Sequence, residues 1–278
     1  MATFYNQATL SYGNNTTTSN ITTGELISGL TLTKTAATSK YGDGEGVIYV
    51  VSLVNTTATD QTGVAITDDL GAYTVGATTV VPLSYVDGSV LYYRNGALQA
   101  APTVTAGTDL TINGITVPAN GNATIIYEAQ TNAFAPLTVG STITNTVTTE
   151  ELSAQSTVDV KEEAELSIAK AICPAVVNDN GQLTYTFIIQ NSGNLAALEA
   201  DNVTVTDTFN PILSNITVTL DGTILTEGTG YTYNTTTGEF ATVAGVITVP
   251  AATYTQDPTT GAFTTTPGVS VLTITGTV

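Results

Sequence analysis

The sequence repeats itself. Residues 30–36 read LTLTKTA and residues 166–172 read LSIAKAI; VIYVVSLVNT at 47–56 returns as LTYTFIIQNS at 183–192, and VAITDDL at 64–70 as VTVTDTF at 203–209. ITVPA occurs unchanged at 115–119 and 247–251, and NATIIYEA at 122–129 resembles SVLTITGT at 270–277. The blocks keep the same order, the first three with a period of about 136–139 residues and the last two at 132 and 148. Repetition over that distance implies two homologous units, each burying an apolar face of its own. The expected domains are 30–163 and 164–278, parted at the charged stretch KEEAE (161–165).

Within each copy, short alternating runs rich in Thr and Val are separated by Gly, Asn and Asp turns. β-branched residues fit a pleated, half-buried surface. The pattern predicts an all-β chain of two tandem Ig-like β-sandwiches. The chain carries 23 acidic and 5 basic residues, a formal charge of −18. So few bases argue against binding nucleic acid, whose phosphates need cations, and against anionic membrane surfaces. Charge of one sign also opposes self-association, so any assembly must rest on strong pairing. A single Cys, Cys173, excludes an internal disulfide framework. It is expected to be a small buried apolar residue, with an intermolecular disulfide as the alternative. The start, MATFYNQATL, shows no secretory signal, the end TITGTV no sorting motif, and no run of 18 apolar residues is present.

The two copies differ at their ends. After NATIIYEA the first continues into STITNTVTTEELSAQSTVDVKEEAELSIAK, whereas the second stops at Val278 after the matching strand. A similar stretch, TFYNQATLSYGNNTTTSNITTGELISGLTLTK, lies at the N-terminus. Asn6 precedes Lys34 by 28 residues and Asn145 precedes Lys170 by 25. Residues 1–29 are therefore expected to be a donor hairpin, with Phe4, Asn6, Ala8, Leu10 and Tyr12 alternating along its first strand. A sandwich without its closing strands exposes an edge that invites a donated strand. Because residue 29 leads directly into the first domain's opening strand, a neighbouring copy is the simpler donor. Repeating such a head-to-tail contact gives a filament. The alternative is a terminal tail without a docking role.

Side chains alternate along a strand, so Lys34 shares a face with Leu30 and Leu32, and Lys170 with Leu166 and Ile168. The same test places Asp68 with Ile66 and Leu70, Asp207 with Val205 and Phe209, Asn145 with Ile143 and Val147, and Asn6 with Phe4 and Ala8. Three polar residue types thus point into each core, where charges need partners.

This order, a lysine strand, a TYT-type strand, a VTDT strand and a closing Asn strand, resembles the conserved-repeat domains of bacterial surface proteins. It is also similar to the isopeptide-forming β-sandwiches of Gram-positive fimbrial subunits. The resemblance covers both copies and so nearly the whole chain, through short motifs. It implies that a lysine on the first strand joins an asparagine on the last, helped by a buried acid. By position that trio is Lys34, Asp68 and Asn145 in the first domain. In the second it is Lys170 and Asp207, with Asn6 of a neighbouring copy as acceptor. Burial favours the neutral forms of lysine and aspartate. A neutral amine can attack the amide, a protonated aspartate can polarise its carbonyl, and ammonia leaves. This is one self-processing event per site, not turnover. An unreacted ion-pair network is the competing reading of the same residues.

Other signals are weaker. The turns YGDGEG (41–46) and NDNGQ (178–182) carry oxygen ligands suited to Ca²⁺ but lack a full loop spacing. No cofactor is expected beyond that. There is no His, and adjacent carboxylates such as Asp68/Asp69 point opposite ways on a strand, so hydrolytic pairs are missing. The expected function is structural: a self-assembling filament subunit, partnered by its own copies, on a Gram-positive cell or spore surface. Absent export and anchor signals suit release by mother-cell lysis. An adhesin using Tyr92 and Tyr93 is the alternative, although alternation places both on a strand.

Overall fold

The computed structural model describes residues 3–25 and 29–278. All regular structure among them is strand, apart from one 3₁₀ turn at Glu199–Asp201. Two compact units emerge: one built on the chain up to Phe134 together with Thr142–Val158, the other on Ala135–Ser141 and Asp159–Val278.

The N-terminal segment forms one long hairpin. β1 (Thr3–Asn6) pairs with β4 (Thr22–Glu25), and β2 (Thr9–Tyr12) with β3 (Asn15–Thr18). Asn6 faces Thr22 and Thr9 faces Thr18, so the extra residue of the bulge lies on the return strand. The alternation from Phe4 to Tyr12 is left intact. No other strand pairs with the hairpin among the described residues. Phe4, Tyr5, Leu10 and Tyr12 are all exposed, and residues 3–24 include no charged side chain.

The first sandwich closes on both sides. One sheet runs β5 (Leu30–Ala36), β6 (Gly46–Asn55), a long strand at Gly121–Thr131, and a strand at Leu91–Arg94. The facing sheet pairs β7 (Gln61–Asp68) on one side with β8 (Leu110–Val117), and on the other with β10 (Thr142–Thr148), followed by β11 (Ser153–Val160). We label Gly121–Thr131 as β9. Alternation is strict: Tyr49, Val51 and Leu53 on β6, and Ile125 and Tyr127 on β9, are buried. Ile143, Asn145 and Val147 line the inner face of β10. Each fully buried aliphatic side chain contributes about 1.5–3 kcal/mol relative to exposure.

The second sandwich repeats this plan with an edge left open. β12 (Leu166–Cys173), β13 (Gln182–Asn191), a strand at Gly268–Thr277 and one at Ser214–Leu220 follow in the order of their first-unit counterparts. The facing sheet holds β14 (Thr206–Thr208), β15 (Glu239–Thr242) and Tyr231–Tyr233. We label Gly268–Thr277 as β16. Its core gathers Phe187, Val205, Phe209, Phe240, Leu272 and Ile274. Where β7 has two neighbours, β14 has only β15, and nothing occupies the place of β10 and β11 among the described residues. Every residue of β12 is accordingly exposed. This overturns the expectation for Cys173: it is an exposed free thiol, because it pairs with Thr184 and lies on the face opposite Lys170, turned away from the core.

Candidate functional site

Lys34, Asp68 and Asn145 meet in the first sandwich, as their inward positions require. All three are buried. The Lys34 ammonium donates to Asp68 Oδ2 at 2.5 Å and lies 4.5 Å from the centre of the Tyr49 ring. The acid is held from behind by a tight turn, in which the Leu70 N–H donates to Asp68 Oδ1 at 3.0 Å. Leu70 adopts a left-handed conformation, φ 51°, which costs a residue with a Cβ about 1–3 kcal/mol. Asp69 points the other way and fastens β10: its Oδ1 accepts from Thr146 N–H at 2.8 Å and from Gly71 N–H at 2.9 Å. Its own N–H donates to the Thr146 carbonyl at 2.9 Å. The neighbour of Thr146 is Asn145, so this clamp positions the amide.

One participant escaped sequence reasoning. The Tyr127 hydroxyl donates to Asp68 Oδ2 at 2.5 Å and accepts from Asn145 Nδ2 at 3.4 Å. It stands between the acid and the amide nitrogen. The Asn145 carbonyl oxygen and the Tyr49 hydroxyl are buried without a hydrogen-bond partner, which costs each about 1–3 kcal/mol. The expected contact from the acid to the amide carbonyl is therefore replaced by a tyrosine on the nitrogen side. Burial brings Lys34 down from 10.5 to about 8, against the opposing pull of Asp68. Burial first, then the negative charge of Asp68, holds the Tyr127 phenol well above its ordinary range. The site thus contains a lysine that gives up its proton more readily than an exposed one, a carboxyl in contact with it, and an amide whose carbonyl makes no well-formed hydrogen bond.

The second site shares the ion pair and little else. Lys170 Nζ donates to Asp207 Oδ2 and sits 4.4 Å from the Tyr185 ring centre. The two side chains are 41% and 19% exposed, against 0% and 1% for Lys34 and Asp68. An open trough of about 640 Å³ borders β14, lined by Asp207, Tyr233 and Phe240. Leu166, Ile168 and Ile172 on β12 are exposed as well. The strand register corrects the sequence alignment here. Tyr127 pairs with Tyr49 across β9 and β6, and Ile274 pairs with Tyr185 across β16 and β13. The counterpart of Tyr127 is therefore Ile274, one residue from the Thr275 that the block alignment matched to it. A one-residue slip exchanges the two faces of a strand, so only the ladder could reveal the difference. Asp207 lacks the phenol that Asp68 has. Asn6 is exposed on β1 and faces Thr22, whose hydroxyl donates to the Asn6 carbonyl at 3.1 Å.

Tyr92 and Tyr93 lie on the strand Leu91–Arg94. Tyr92 is buried, its hydroxyl donating to the Thr116 carbonyl at 2.7 Å. Among the described residues no group of three His, Cys, Asp or Glu side chains could hold a metal ion, and no helix is long and apolar enough to cross a membrane.

No family model matches this sequence, and no curated protein does. Solved structures are similar at low identity. The pilus backbone RrgB of Streptococcus pneumoniae is 13% identical over 86% of this chain and 55% of that chain, with a TM-score of 0.33. The major pilin BcpA of Bacillus cereus is 14% identical over 96% and 73%, with a TM-score of 0.35. The major pilin SpaA of Corynebacterium diphtheriae is 11% identical over 87% and 57%, with a TM-score of 0.30. This chain spans about half the length of the pneumococcal protein. At TM-scores this low the likenesses assign neither a role nor a site to this chain.

Proposed function

We propose that this chain is a structural subunit that polymerises head to tail, the hairpin of residues 3–25 completing the second sandwich of the next copy. The observation that carries the reading is the unmatched edge. β7 is flanked by β8 and β10, whereas β14 has only one neighbour. The sequence TFYNQAT at 3–9 aligns without a gap on TITNTVT at 142–148, setting Phe4, Asn6 and Ala8 against Ile143, Asn145 and Val147. In the first sandwich Val147 stands opposite Asp68 and Thr148 opposite Thr67. The same register sets Ala8 opposite Asp207 and Thr9 opposite Thr206. A second copy is the simpler occupant because residue 29, hydrogen-bonded to Thr56, leads directly into β5 of the first sandwich. The absence of charged residues from 3–24 lets that stretch enter a strongly acidic partner without added repulsion.

The buried trio of the first sandwich supports a self-formed amide between Lys34 Nζ and Asn145 Cγ, with loss of ammonia. Lys170 and Asn6 are the corresponding pair between copies, which would make the filament covalent. Such a polymer suits a cell- or spore-surface appendage. The chain performs no turnover in this reading. An excess of synthetic peptide 3–25 added to assembling protein should cap the open edge and shorten filaments seen by electron microscopy. Filaments of unchanged length at saturating peptide would sink the proposal.

A further inference from the structure

We infer that Tyr127 is a catalytic residue of the first sandwich, relaying a proton between Asp68 and the amide nitrogen that departs from Asn145; this rests on the amide-forming reading above. Expelling an amide nitrogen as its anion is prohibitive, so it must gain a proton before the C–N bond breaks. Asn145 Nδ2 donates to the Tyr127 hydroxyl, at 3.4 Å. The same hydroxyl is 2.5 Å from Asp68 Oδ2, which is in turn 2.5 Å from Lys34 Nζ. Lysine nitrogen, carboxyl, phenol and leaving nitrogen form one unbroken chain.

The proton count closes along that chain. Lys34 first gives a proton to Asp68 and becomes a neutral amine. Its lone pair attacks Asn145 Cγ, forming the Nζ–Cγ bond and a tetrahedral centre. Nδ2 is now an sp³ amine with a lone pair directed at Tyr127. The Asp68 proton passes to the phenol oxygen while the phenol proton passes to Nδ2, so the tyrosine ends as it began. Collapse breaks the Cγ–Nδ2 bond and releases ammonia. Asp68, again a carboxylate, takes the second proton that Nζ sheds in becoming an amide N–H, and returns it to solvent or to the ammonia. A phenol held well above its ordinary range suits this role, since it exchanges a proton without resting as an anion.

The test follows ammonia loss by intact mass. Full-length chain, synthesised in vitro and kept unfolded in denaturant, is refolded by dilution and quenched in acid at intervals. Peptide mapping identifies the Lys34–Asn145 link. A relay predicts that Tyr127→Phe slows link formation by about 100-fold or more. Fluorinated tyrosines placed at position 127 keep the ring in its cavity and change only the acidity of its proton. Rates that track that acidity support a moving proton, and this holds even if the phenylalanine variant folds poorly. Rates indifferent to fluorination, or a normal rate in Tyr127→Phe, overturn the relay and leave the amide bond itself standing. Wild-type chain that folds without losing ammonia from Asn145 overturns both.

Discussion

The two lysine–aspartate pairs are an experiment within one molecule. Both sit at the same place in homologous sandwiches, and both bring a lysine into contact with an acid. In the first, β10 covers the pair, Asp69 fastens that strand, and Tyr127 supplies a phenol. In the second, the covering strand is missing and Thr208 and Ile274 stand where Asp69 and Tyr127 would be. The lysine strand is consequently exposed along its length. A buried amine is pushed toward neutrality and reactivity; the same pair half in water is an ordinary surface contact. The contrast teaches that the closing strand, more than the pair itself, creates the reactive environment.

The largest effect should come from removing the donor. Deleting residues 1–29 is expected to abolish polymerisation while leaving the first sandwich folded, as judged by electron microscopy and circular dichroism. Filaments formed by the truncated chain would break the comparison at its root. Next is the covalent link. Wild-type filaments boiled in detergent with reductant should yield a ladder of multimers. Asn6→Ala should erase that ladder without changing the first sandwich's own loss of one ammonia. A surviving ladder removes Asn6 as the acceptor.

Stability should then separate the two acids. In an Asn145→Ala background, where no amide can form, Asp68→Ala strands a buried ammonium and should lower unfolding free energy by about 3–5 kcal/mol in denaturant melts. Asp207→Ala, acting on a lysine 41% exposed, should cost no more than about 1 kcal/mol after solvent screening. Equal losses would mean that burial does not distinguish the sites. The smallest effect is in pH. The relay needs the one proton that Lys34 and Asp68 share, and burial lowers the Lys34 pKa to about 8. Ammonia release on refolding should therefore hold steady below that pH and slow as pH rises through it. A rate still climbing through pH 10 would show that the departing nitrogen does not draw on that shared proton.

Much of this was legible in the chain. Alternation placed Lys34, Asp68 and Asn145 on inner faces, and the ladders bring them together. Asp68 and Asp69 point opposite ways, as adjacent strand residues must. Tyr92 belongs to a strand, as its alternation indicated. Other features were hidden because they depend on how strands meet. Nothing in the sequence marked Tyr127, and only its ladder partner, Tyr49, fixes where its hydroxyl lies. Leu70 gave no sign of a left-handed turn, a conformation for which glycine or asparagine is the usual signal. Cys173 read as a core residue and is exposed, since three steps from the inward Lys170 it falls on the outer face of its strand.

Sequence alone determined the two-unit repeat, the all-β class, the inward lysine and acid of each copy, and the kinship of residues 3–9 with 142–148. These follow from local rules, a period of two along strands and β-branched residues between turns. Only the tertiary structure decided which hydroxyl meets which acid, and which edge is left without a neighbour. Those depend on cross-strand register and on distant segments converging, neither of which any single stretch of chain encodes by itself.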